Sequence, residues 1–220
     1  MKNYFPRTPR FMMRFFSKYT WRFNSDKKEI FLTFDDGPTP DITQFVLTEL
    51  KKYNAKATFF CIGKNIQNHP KIFQNIITDS HSIGNHTQNH LKGWKTDQTT
   101  YVNNALACED VIYKELKKAA NSNLNTQNLK LFRPPYGKVK KSQAKKLIEK
   151  GYKIIMWSVL SADFDTTISN EKCLENVLKN TESGSIIVFH DSVKAAERMK
   201  YALPKVLKHF SDKGFVFKSI

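Results

Sequence analysis

The residues best suited to chemistry in this sequence are two adjacent aspartates, a spaced pair of histidines, one arginine and a further histidine. His86 and His90 stand four apart in His-Thr-Gln-Asn-His. On a helical turn that spacing puts both imidazoles on one face, where they can share an ion. Two solvated histidines would show the same spacing. Asp35-Asp36 adds a carboxylate from another part of the chain. One Asp and two His supply three protein ligands and leave a position for water, the pattern of a catalytic rather than a structural zinc site. Adjacent aspartates on an extended chain point to opposite sides. One can bind the ion while its neighbour reaches the ion's water, whose pKa the ion lowers, and takes its proton. Without the histidines, Asp35-Asp36-Gly37-Pro38 reads equally well as an ordinary turn.

His190 ends the apolar run Ile186-Ile187-Val188-Phe189. Taken alone it reads as a core histidine bonded to backbone. As a functional group it suits a general acid that protonates a leaving group, with Asp163 holding it charged and oriented. Arg133 opens Arg133-Pro134-Pro135-Tyr136-Gly137. Two prolines fix φ there, and Gly137 permits a tight turn. Arg133 could pair with Asp35 and keep it ionised. A backbone N–H near Tyr136 could serve an oxyanion.

Elements must bring these residues together. Strands are expected over 29–34, 55–62, 82–85, 129–133, 152–158, 185–190 and 215–219, from their apolar and β-branched runs. Helices are expected over 39–53 (Thr39 as N-cap, Pro40 in the first turn), from 63 to about 80 with Pro70 inside or restarting it, and over 96–119, 142–150, 171–180 and 193–210. Residues 119–128 read as a polar surface connection. Strands alternating with helices imply parallel pairing with helical crossovers. Seven candidates suit a distorted (β/α) barrel, an α/β fold, better than an open sheet. Asp35, Asp36, His86, His90, Arg133, Asp163 and His190 all follow predicted strands, where parallel barrels form their active face.

The motifs stand in an order that resembles a known family. Thr33-Phe34-Asp35-Asp36-Gly37-Pro38, His86-Thr87-Gln88-Asn89-His90 and Arg133-Pro134-Pro135-Tyr136-Gly137 are similar to the first three motifs of the polysaccharide deacetylases, carbohydrate esterase family 4, with its NodB-type homology domain. A fourth lies at 157–164 and a fifth at Val188-Phe189-His190-Asp191. The resemblance spans 29–220 and implies a divalent metal, zinc first with Co2+ or Ni2+ able to substitute. Asp36, His86 and His90 would be its ligands. Asp35 matches the catalytic base, His190 the acid, Arg133 the residue orienting the base and Asp163 the one tuning the acid. Tyr136 matches the position whose backbone N–H polarises the carbonyl. Pro135, Trp157, Phe164 and Val188 match positions around the substrate. The implied reaction is removal of N-acetyl groups from N-acetylglucosamine in peptidoglycan or a chitin-like glycan, by attack of metal-bound water. An O-acetyl esterase acting on xylan, or a deacylase of a lipid-linked sugar, uses the same residues. Two departures concern substrate fit. The fourth motif reads Leu160-Ser161-Ala162-Asp163-Phe164, lacking the family's first Asp and its tryptophan, and Val188 replaces the usual leucine.

Composition limits the remaining classes. In 220 residues, 40% hydrophobic and 13% aromatic content argues for a folded chain. No run of 18 apolar residues exists, so no bilayer-spanning segment is expected. Three distant cysteines, Cys61, Cys108 and Cys173, suit neither a disulfide framework nor a zinc ribbon. The net charge is +16. Residues 1–28 form a basic, aromatic extension with eight basic residues against Asp26, and 138–150 hold six lysines. No nucleic-acid-binding signature accompanies this charge, and no nucleic-acid partner is expected. Arg7, Arg10, Arg14 and Lys18 recur at helical spacing with Phe11, Phe15 and Tyr19 on another side. That pattern suits a helix at an anionic membrane or envelope surface, or one that packs on the domain and closes an end of its core. Secretion signals are unconvincing; the substrate class suggests the cell envelope, and a monomer is expected.

Overall fold

The computed structural model describes residues 4–119 and 130–220. Part of the expected polar connection, and Leu129 of the expected strand 129–133, lie outside the described residues. The elements in chain order are α1 (Arg10–Phe15), β1 (Glu29–Asp35), α2 (Ile42–Lys52), β2 (Thr58–Cys61), α3 (Gly63–Asn68), α4 (Pro70–Thr78), β3 (Ser82–Asn85), α5 (Gln98–Ala119), β4 (Leu131–Phe132), α6 (Lys141–Glu149), β5 (Lys153–Ile154), β6 (Val159–Leu160), α7 (Asn170–Leu178), β7 (Ile186–His190), α8 (Ala196–Asp212) and β8 (Val216–Lys218).

The strands form one curled sheet in the order β5-β4-β3-β2-β1-β7-β6, and every ladder is parallel. β8 pairs with the start of β1, Glu29 against Val216, and so extends the edge that β2 occupies higher up. This is the distorted (β/α) barrel that the alternation of elements implies. Ile30, Leu32 and Phe34 of β1 pack outward with Phe59, Ile187 and Phe189, under helical residues such as Val46, Leu50, Leu203 and Val206. Phe31, Phe60, Leu131, Ile155 and Ile186 form a second cluster on the sheet's other face. One face of β1 is wholly apolar, while the other carries Phe31 and then the polar Thr33 and Asp35 that lead into the site.

Two expected elements differ. The strand expected over 152–158 is cut short: only Lys153–Ile154 of it forms β5, and the chain re-enters the sheet just beyond it as β6, at the opposite edge. The physical reason is Arg133. Its Nε donates to Ile155 O at 3.2 Å and an Nη to Met156 O at 2.9 Å, so these carbonyls serve a side chain instead of a ladder. The N-terminal segment supplies the partners a continuous strand would have had. Thr20 N donates to Ile154 O, Met156 N to Thr20 O, Thr8 N to Ser158 O and Leu160 N to Pro6 O. The helix expected from Thr39 begins at Ile42, because Asp41 takes a left-handed φ of 60°. Pro70 restarts the next helical stretch, with α3 ending at Asn68. All three cysteines are buried and free. No helix among the described residues is long and apolar enough to cross a membrane.

Candidate active site

The strand ends hold the site, and the backbone there is strained. Eight non-glycine described residues have positive φ, and five of them (Asp36, Thr87, His90, Tyr136, Ala162) lie in the loops after β1, β3, β4 and β6. Such conformations persist only where the surroundings over-determine them. After β1, Asp36 at φ 85° has its carbonyl held by Asn65 Nδ2 at 2.7 Å. Gly37 N donates to Asp191 Oδ1 at 2.9 Å, and Thr43 Oγ1 to Asp191 Oδ2 at 2.6 Å. A Cβ on Gly37 would stand 2.0 Å from Asp191 Oδ2, so only glycine permits this approach. Asp191 is fully buried, and burial raises its pKa to about 7.

The histidine pair corrects an expectation. Residues 86–90 are not helical; they form an irregular loop with left-handed turns at Thr87 (φ 66°) and His90 (φ 54°). Buried Asn85 accepts from Thr87 N at 2.8 Å, and Asn104 of α5 receives Asn89 N on its side chain and Gln88 N on its carbonyl. The two imidazoles still converge, with ring centroids 5.0 Å apart. Their Nε2 atoms lie 3.7 Å (His86) and 3.3 Å (His90) from Asp36 Oδ1.

The donor chemistry of this trio fits a cation. His86 Nδ1 is 2.8 Å from Arg133 O, a carbonyl that can only accept, so Nδ1 carries the proton and Nε2 presents a lone pair. Burial lowers the pKa of His86 to about 3, and burial likewise lowers that of His90. Neutral His86 therefore forms no ion pair with Asp36. Asp36 Oδ1 is buried and has no hydrogen-bond partner among the described residues. Two acceptors facing each other without a proton between them repel, and a positive ion removes the conflict. Donors about 3.3 Å apart are what a tetrahedral ion with bonds of about 2.0 Å requires. All three atoms lie within 4.8 Å of one another.

Asp35, the other aspartate, is buried at the end of β1. Arg133, fully buried, donates to its Oδ1 at 2.7 Å and to Thr33 Oγ1 at 2.7 Å. Burial lowers the Arg133 pKa and the Asp35 charge opposes that effect. The guanidinium also stacks over Phe60 at 4.1 Å.

Across the sheet, β7 pairs with β1 so that His190 stands beside Asp35. His190 Nδ1 lies 2.7 Å from Asp163 Oδ1, and His190 N donates to Asp163 Oδ2 at 2.7 Å. Burial alone would lower the His190 pKa; the Asp163 charge and hydrogen bond outweigh it and raise the value to about 9. Arg198 of α8, nearly buried, donates to Asp163 O at 2.7 Å and fixes the loop after β6.

Between the two halves, Tyr136 sits at φ 60° in a 3-10 turn. Its ring lies 4.6 Å from that of His90 and is half exposed. Phe164 stands edge-on to His190 at 5.2 Å. Trp157 packs where Gly137 has no side chain. Pro135 and Val188 are buried, so Val188 offers substrate no free surface in this arrangement. Asn85, Asn104, Thr43, Asp191 and Arg198 were not singled out for a role by sequence. Asp191 lies inside the fifth motif; the others carry no local pattern that distinguishes them.

Comparison with known proteins agrees with this geometry. The polysaccharide deacetylase family profile matches residues 23–155. A peptidoglycan-N-acetylglucosamine deacetylase of Bacillus cereus is 33% identical over 202 residues, covering 91% of this chain and 90% of its own. A chitooligosaccharide deacetylase of Azorhizobium caulinodans is 32% identical over 174 residues, covering 77% of each chain. The crystal structure of the Bc1960 peptidoglycan N-acetylglucosamine deacetylase, in complex with an N-hydroxybenzamide, superposes with a TM-score of 0.83 at 32% identity, covering 97% of this chain and 95% of its own. This chain belongs to the polysaccharide deacetylase family, a family of metal-dependent enzymes.

Proposed function

We propose that the protein removes N-acetyl groups from N-acetylglucosamine residues of peptidoglycan or a chitin-like glycan. The observation that carries this reading is the acceptor-only trio Asp36, His86 and His90, set between an arginine-held carboxylate and a carboxylate-held imidazole. The substrate class follows what the named relatives act on. Residues 29–220 form the catalytic unit in this reading, and the protein works as a monomer.

Asp36, His86 and His90 hold a divalent ion, for which nitrogen and carboxylate donors favour zinc, with Co2+ or Ni2+ as substitutes. When bound, the ion supplies Lewis acidity. Asp35 accepts the proton of the attacking water, and the hydrogen bond from Arg133 keeps Asp35 aimed. Developing negative charge on the acetyl oxygen meets the Tyr136 N–H. His190, protonated because Asp163 faces it, gives its proton to the departing amine. Trp157 and Phe164 wall the sugar and acetyl group, with Phe164 leaving more room than a tryptophan would, while Pro135 and Val188 are buried and shape the site from behind its surface.

The test is acetate release from N-acetylglucosamine oligomers, peptidoglycan and acetylated xylan, with and without chelator and added zinc. Chelator-sensitive release from the amide substrates is expected. Release from acetylated xylan alone would replace the amide reading with an ester one, and chelator-resistant release would overturn the metal role.

A further inference from the structure

The site leaves the basic, aromatic N-terminal segment without a use. Met13 of α1 and Phe16, which follows the helix, pack against the cluster of Trp21, Tyr101 and Phe132. The opposite side presents Arg10, Phe11, Arg14 and Phe15, all exposed, as one stripe. Phe11 and Phe15 are 70% and 72% exposed. Single exposed apolar residues are ordinary, but adjacent phenylalanines held out by a docked helix mark an interaction surface.

Cations surround these rings. Arg10, Arg14 and Lys18 have no carboxylate within ion-pair distance among the described residues, whereas Arg7 and Arg22 share Glu182. Lys141, at the start of α6, lies 5.7 Å over the Phe15 ring. The fold thus brings one lysine of the 138–150 cluster to this stripe. Beside the stripe, Arg7, Arg10, Arg14 and Arg22 line a cleft of 660 Å³ in which Glu182 is the one acid. Arg22 Nε is buried there without an acceptor among the described residues. The cleft shares no residue with the candidate active site. Its Ser185 and the catalytic His190 lie at opposite ends of β7, roughly 16 Å apart at the rise of a parallel strand.

We propose that this face docks the protein on a bilayer carrying anionic phospholipid headgroups. Phe11 and Phe15 enter the headgroup–acyl boundary while Arg10 and Arg14 meet lipid phosphates, and the active site stays clear to receive glycan. A dissolved polyanion would satisfy the arginines but gain nothing from two solvent-exposed phenyl rings. A lipid interface takes both. The inference does not depend on which glycan is the substrate.

Co-sedimentation of the full chain with vesicles tests it, comparing phosphatidylcholine alone with a mixture containing phosphatidylglycerol, and heparin as a soluble polyanion. Binding to the anionic vesicles, weakened by salt, is expected. Each cation at such a surface strengthens binding by about fivefold, so R10Q/R14Q lowers it by about 25-fold. F11S/F15S lowers it as well, while both variants keep wild-type circular dichroism and acetate release from soluble oligomers. Absence of vesicle binding would overturn the proposal. So would heparin binding that survives F11S/F15S alongside vesicle binding that this variant leaves unchanged, because the site would then read charge alone.

Discussion

The two sides of the site differ in how complete they are without a ligand. On the acid side, both oxygens of Asp163 are occupied by His190, its carbonyl by Arg198, and the charge on His190 is balanced within the chain. On the side of Asp36, a buried carboxylate oxygen without a hydrogen-bond partner among the described residues faces two imidazoles whose pKa values burial lowers. The same residue types give opposite outcomes because of what sits behind each histidine. A carboxylate behind His190 raises its pKa to about 9, whereas the carbonyl of Arg133 cannot offset burial at His86, which drops to about 3. One side suits the holding of a proton and the other, in the proposed function, the holding of an ion.

The largest effect should come from the incomplete side. His86→Ala or Asp36→Ala should abolish both turnover and zinc binding. In the wild type, zinc at a hundred times its Kd should stabilise the fold by about 2.7 kcal/mol, read as a rise in Tm that chelator reverses. A His86→Ala protein that showed the full zinc-induced rise would break the assignment of the ligands. His190→Ala should leave the rise intact while activity falls, which separates the two sides in one assay.

Next in size is Asp35→Asn. Loss of the base should cost roughly a thousandfold in kcat, with the zinc-induced Tm rise retained. The variant also leaves the fully buried Arg133 without its counter-charge, so a stability loss of about 3 kcal/mol is expected by denaturant titration. Equal loss of metal binding and turnover would show that Asp35, and not only Asp36, belongs to the ion.

The difference between the sides also explains what sequence could and could not reveal. Every residue proposed to touch metal, water or substrate stands in a short motif after a strand, and alternating elements were enough to imply the barrel. The conformation of the His86–His90 segment was not legible. Four-residue spacing satisfies a helix, but buried Asn85 and Asn104, the latter 14 positions beyond His90, impose an irregular loop instead. β6 was hidden for a similar reason. The run from 152 to 158 reads as one strand until the guanidinium of Arg133 takes two of its carbonyls, so the sheet is re-entered only at Val159. Such contacts join residues far apart in the chain and leave no periodicity.

On the complete side, titration offers a sharper reading. In the metal-free protein, NMR should find His190 titrating near about 9 and His86 near about 3. The protonated imidazole is the proposed acid, so the His190 contribution to turnover should be present below its pKa and lost as pH rises through it. In Asp163→Asn, burial is opposed only by the lesser charges of Asp35 and Asp36, and the alkaline limb of the kcat profile should move to lower pH. Turnover at pH 8 should fall roughly tenfold to a hundredfold. An unmoved limb with reduced kcat would mean that Asp163 only positions the ring.

The smallest expected effect joins the two sides. Asp191 follows the acid in sequence, yet its carboxylate holds Gly37 N and Thr43 Oγ1, next to the metal-side Asp36. Asp191→Asn keeps an acceptor for Gly37 and a group that Thr43 can meet by rotating its hydroxyl. Activity should therefore change by about threefold or less. Asp191→Ala strands both donors in a buried site and should cost about 2 kcal/mol of stability. Because Gly37 is covalently next to Asp36, the alanine variant should also weaken zinc binding, while the pH limb assigned to His190 stays in place. A shift of that limb in Asp191→Ala, with zinc affinity unchanged, would place Asp191 with the acid and dissolve the division between the two sides.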